Sequence, residues 1–142
     1  MNRFGKFRWR VRSFRWRWLP AIAWMALLFA LSSRTGGELD GWLPAVRRLL
    51  PWLGSFDPFH YVAYFVLALL FAFALGRGAY GWRGAARILL LCLAYGLFDE
   101  WHQSFVPGRT ADARDVRNDM IGAALAVAVW HLARRIRGFR RR

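Results

Sequence analysis

Four apolar stretches, at residues 19–31, 59–75, 88–98 and 120–133, constrain this chain more than any other feature. A helix that crosses a bilayer needs about 20 predominantly apolar residues, with a range of roughly 17–25. The stretch 59–75 reaches 17 unaided. The other three must extend into their flanks. The first runs back through Trp16 and Trp18, aromatic residues suited to the membrane interface. The third runs from about Arg83 to Gln103, with the Arg87 side chain reaching back toward water. The fourth begins near Asp115. This pattern predicts an all-α integral membrane bundle of four transmembrane helices. A soluble helical domain built from the same helices would have little polar surface with which to cover itself. A signal peptide could also use an apolar 19–31, but the charged lead is long and no small-x-small cleavage site follows. The length of 142 residues suits one domain, and a single cysteine, Cys92, excludes an internal disulfide.

The net charge of +14 invites a nucleic-acid reading, so its location matters more than its size. Residues 1–18 hold seven basic side chains and residues 134–142 hold six, whereas 19–133 carries nine against all eight acids. The excess is entirely terminal. The chain therefore divides into a basic, aromatic juxtamembrane segment (1–18), a membrane domain (19–133) and a basic tail (134–142). In residues 7–18 arginines alternate with Trp and Phe, the ingredients of single-strand nucleic-acid binders. Because the segment runs straight into an apolar stretch, it reads instead as an anchor, with Trp at the headgroups and Arg on anionic lipid. Membrane lipids are thus the expected partners, and nucleic acid is not.

Four spans put both termini on one side. The positive-inside rule makes that side the cytoplasm, because sixteen of the 22 basic residues then face inward. Every acidic residue then falls outside. The expected location is the bacterial cytoplasmic (inner) membrane, crossed several times, with the polar chemistry at the outer end. Between Pro44 and Pro51, residues 45–50 suit a short surface helix, and Pro107-Gly108-Arg109 suits a tight turn.

Three polar clusters fall at the outer ends of the second, third and fourth spans. Asp57, His60, Tyr61 and Tyr64 share one helical face, with Asp57 a candidate N-cap before Pro58. Asp99, Glu100, His102 and Gln103 end the third span. Acids there oppose the helix dipole and need cations or donors, and Arg109 is the expected bidentate partner. Asp115 and Asp119 lie one turn apart at the start of the fourth span, where the dipole favours them. Gly122 and Ala126 continue that helix as a small-residue face that allows close packing.

His60-x3-Tyr64, Asp99-Glu100-x2-Gln103-x3-Pro107-Gly108-Arg109 and Asp115-x3-Asp119-x2-Gly122 together resemble the VanZ-like family of small membrane proteins. Ser32-Ser33 resembles it too, and the likeness covers about residues 19–133. The family's name-giving association is with reduced susceptibility to the glycopeptide teicoplanin, so antibiotic resistance and the cell envelope are what the resemblance implies. Members often carry Asp-Lys shortly before the histidine, where this chain has Pro58, and Asn where it has Asp119.

Three functions fit these residues. The first is a pocket of His60, Tyr64, Asp99, Glu100, Gln103, Arg109, Asp115 and Asp119 that binds an envelope lipid, a lipid-linked cell-wall precursor or a glycopeptide. The second is a membrane-embedded enzyme using a metal held among Asp57, His60, Glu100, His102 and Asp115, although no compact metal motif is present. The third is a structural or assembly protein whose polar groups fix helix register. No cofactor is expected, and the oligomeric state is left open.

Overall fold

Helix α1 (Leu19–Ser32) begins at a proline, Pro20, in its first turn, where a missing N–H costs no helical hydrogen bond. A computed structural model describes residues 16–49 and 57–139, and the terminal residues 1–15 and 140–142 lie outside the described residues. The anchor expected at 7–18 is therefore described only from Trp16 onward. There Trp16 packs edge-on against Phe73, Trp18 tilts against Phe71, and the Arg17 guanidinium lies 4.8 Å from the Phe73 ring centre.

Helix α2 (Gly36–Leu49) is longer than the short helix expected between the two prolines and includes Pro44 in its interior. Its start explains the difference. The Thr35 backbone N–H donates to Glu38 Oε2 at 2.9 Å, and the Glu38 N–H donates back to Thr35 Oγ1 at 3.3 Å. This reciprocal capping box nucleates the helix ahead of Pro44.

Helix α3 (Asp57–Leu75) carries Pro58 in its first turn. The side chain of Asp57 lies outside the described residues, so its expected cap is not described. A 3₁₀ turn (Gly76–Ala79) and an extended Tyr80 lead into helix α4 (Gly81–Gln103). The turn after α4 closes through a hydrogen bond from Arg109 N–H to Val106 carbonyl at 3.1 Å, with Gly108 at φ +73°. Proline second and a positive-φ glycine third give a type II turn, as the Pro-Gly pair predicts. Helix α5 (Ala113–Phe139) is capped by Asp112, whose Oδ1 accepts the Arg114 N–H at 2.8 Å, and not by Asp115.

The chain is all-helical, with no strand among the described residues. Helices α3 and α5 make the broadest contact, α4 packs against both, and α1 lies against α3 and α4. Successive long helices run in alternate directions. The end of α1, the start of α3, the end of α4 and the start of α5 therefore meet at one pole. At the other pole Arg134 sits 3.6 Å from the Tyr80 ring centre. Leu67, Ile88 and Cys92 fill the middle of the bundle. Its outer face carries Leu90, Leu97, Leu125, Val129 and Leu132, all exposed.

Among the described residues two helices are long and apolar enough to cross a membrane, Pro58–Ala79 and Gly81–Gln103, while Leu19–Ser32 is apolar but shorter.

Candidate functional site

Three linked groups of polar side chains converge at the pole where α1 and α4 end and α3 and α5 begin. The first is built on Asp99, in the last turn but one of α4. Ser32 Oγ, at the end of α1, donates to Asp99 Oδ1 at 2.6 Å. Gln103, one turn further along α4, donates from Nε2 to Asp99 Oδ2 at 2.8 Å. The Gln103 amide oxygen in turn accepts a hydrogen bond from Arg109 Nη2. The type II turn reverses the chain after α4 and brings Arg109 back over Gln103.

This corrects the expected bidentate grip of Arg109 on a carboxylate. No ion pair of Arg109 with Asp99 or Glu100 occurs among the described residues. The two acids at the α4 C-terminus are offset mainly by neutral donors. Glu100 Oε2 accepts the backbone N–H of Asp112 at 2.7 Å, which ties the end of α4 to the start of α5. Glu100 Oε1 is buried without a partner among the described residues.

The second group joins α3 to α5. His60 Nδ1 lies 2.9 Å from Asp119 Oδ1, and His60 Nε2 lies 3.7 Å from Asp115 Oδ2. A carboxylate can only accept, so Nδ1 carries the hydrogen toward Asp119. Tyr61 donates to Asn118 Oδ1 at 2.7 Å. Adjacent His60 and Tyr61 on α3 thus meet the i, i+3, i+4 set Asp115, Asn118 and Asp119 on α5. Close approach is needed for this, and Gly122 supplies it, because a Cβ there would run into the Tyr61 backbone carbonyl. Ala126 is fully buried one turn further along.

Tyr64 forms the third part. Its hydroxyl is buried without a hydrogen-bond partner among the described residues. It lies close to Asp119 Oδ2 beside Gly96, where a Cβ would be 3.4 Å from the hydroxyl and 3.2 Å from the carboxylate. Gly96 therefore leaves the opening in α4 through which α3 and α5 bring these oxygens together.

His60, Tyr64, Asp99, Glu100, Gln103, Arg109, Asp115 and Asp119 all belong to this pole. His102 does not join them, because its ring lies tilted against Phe29 with centres 4.2 Å apart. Among the described residues no three His, Cys, Asp or Glu side chains come together to hold a metal ion. Ser32 and Asn118 are contributors that spacing arguments overlook. Ser32 was recognisable only as one of a serine pair, and Asn118 carries no charge to draw notice.

Beside the polar pole lies a cavity of about 310 Å³. Trp24, Leu28 and Leu31 of α1 and Phe59, Val62 and Ala63 of α3 make its walls apolar, while His60, Asp99 and Arg109 line its polar end.

The family model for VanZ/LLP1 matches residues 16–134, which spans every element from α1 through most of α5. The chain belongs to the VanZ/LLP1 family. No curated protein and no solved structure matches it. The VanZ/LLP1 match contains all the polar groups described above and the walls of the cavity. The relay Ser32–Asp99–Gln103–Arg109 and the pair His60–Asp119 are thus how this VanZ/LLP1 chain arranges its matched residues.

Proposed function

We propose that this VanZ/LLP1 protein is a multi-pass protein of the bacterial cytoplasmic membrane, with four spans and both termini in the cytoplasm. Its outward pole binds an envelope lipid or a lipid-linked cell-wall precursor. The observation that carries this reading is the cavity, which joins an apolar wall to a polar end. A lipid has the same division, and binding sites commonly pair apolar walls with few, well-aimed polar groups.

The exposed apolar side chains around the bundle support a lipid environment, since a contiguous apolar exterior of this kind is costly in water. Helix α1 is short, about 21 Å at 1.5 Å per residue. Trp16 and Trp18 extend it at the inner interface, where tryptophan is favoured. The arginines at both chain ends give the basic asymmetry that this orientation needs. A link to glycopeptide tolerance would follow from occupancy of the same site by an envelope precursor.

The test is native mass spectrometry of protein extracted gently from its membrane. We expect a lipid to travel with it. Ala63→Phe, which fills the cavity wall, should remove that adduct while the helical circular dichroism stays unchanged. A wild-type protein that carries no lipid under any mild extraction would refute the reading.

A further inference from the structure

Arg109 lines the cavity, and its described hydrogen bond goes to a neutral acceptor. Arginine beside buried carboxylates ordinarily forms a forked ion pair, which would consume its charge. Here Gln103 stands between. Its amide nitrogen serves Asp99 and its amide oxygen serves Arg109. Ser32 fills the other Asp99 oxygen, so this carboxylate has a donor on each oxygen without the guanidinium. The result is a cation that is oriented but not neutralised, at the polar end of an apolar cavity.

Resting on the lipid-binding reading, we infer that the cavity selects lipids bearing a phosphate group, which Arg109 binds, and that Gln103 is the positioning residue that keeps the guanidinium available. A phosphate in contact with Arg109 would be nearer to this cation than to Asp99, which lies one amide further away. Coulomb energy falls with distance, so attraction outweighs repulsion there. The apolar walls supplied by α1 and α3 suit hydrocarbon, which makes a lipid phosphate, and not free phosphate, the committed ligand.

The experiment uses full-length protein in detergent and three probes: dioleoylphosphatidic acid, dioleoylglycerol and inorganic phosphate. The first two share their chains and differ in the phosphate. Wild type should bind the phosphatidic acid more tightly by roughly tenfold or more, the scale of hydrogen bonds to a charged group. Arg109→Gln should bring both lipids to the same affinity. Gln103→Glu, nearly isosteric, should do the same with Arg109 still present, because a carboxylate then claims the guanidinium. Equal wild-type binding of the two lipids would overturn the phosphate inference and leave lipid binding intact. Failure to bind either lipid would overturn the underlying reading. Tight binding of inorganic phosphate alone would overturn the lipid commitment. A Gln103→Glu protein that keeps the preference would overturn the role of Gln103.

Discussion

Asp119 illustrates how much depends on a single acceptor. It is almost fully buried, and its Oδ1 faces His60 Nδ1. An asparagine at this position keeps an acceptor oxygen, whereas a leucine leaves a half-buried ring N–H unpaired at a cost of about 1 kcal/mol. Asp119→Asn should therefore retain most of the stability that Asp119→Leu loses, measured as thermal unfolding in one detergent. Equal losses would mean that the charge, and not the hydrogen bond, matters. The polar residues stood out by type and spacing, but their partners did not. The Pro-Gly turn and the forked guanidinium suggest a carboxylate for Arg109, but Gln103 takes that place. The i, i+4 pairing of Asp99 with Gln103 and the hand of the Pro107-Gly108 turn decide the outcome, and both are geometric. Tyr61 finding Asn118 is of the same kind, because it requires two helices to be in register.

At the scale of the element, apolar runs and end signals marked the long helices well. Helix α4 spans the residues that its apolar centre, extended to polar flanks, suggests. Helix α2 exceeds the short helix expected between Pro44 and Pro51 because Thr35-Gly36-Gly37-Glu38 is itself a capping-box pattern that starts it ahead of Pro44. The Thr35 backbone N–H, with help from its hydroxyl and from Arg34, holds the Glu38 carboxyl below its ordinary range. A lowered folded pKa contributes stability that is present above the unfolded value of about 4.3. That contribution is lost as pH falls through the folded value. The first turn of α2 should thus fray on acidification, read as a shift of the Gly37 amide resonance in a pH titration. Glu38→Gln should abolish that titration, and a shift that survives the substitution would assign it to another group.

For the whole molecule, the alternation of helix direction gathers residues from four helices at one pole, although they are scattered from Ser32 to Asp119 in the chain. That convergence follows from the antiparallel order of the long helices, which their short connections in the sequence imply. The cavity does not, since it arises from how α1 leans on α3. The proposed topology makes a direct prediction. In a Cys92→Ala background, a cysteine placed at Thr110 should react with a membrane-impermeant maleimide added to intact cells or spheroplasts. One placed at Arg77 should react only after the membrane is opened. The reverse pattern would invert the molecule and put the polar pole inside.

One backbone contact ties these scales together. Gly36 N–H donates to the Pro107 carbonyl at 3.2 Å, and a Cβ at Gly36 would run into the Gly108 carbonyl oxygen, while Gly108 holds a positive φ that favours glycine. The connections that follow α1 and α4 are consequently stitched at a single point. A tug on the segment that leaves α1 is passed to the very bend that aims the guanidinium. An epitope tag or a bulky residue inserted near Gly36 would therefore misdirect Arg109 without replacing any residue that lines the cavity.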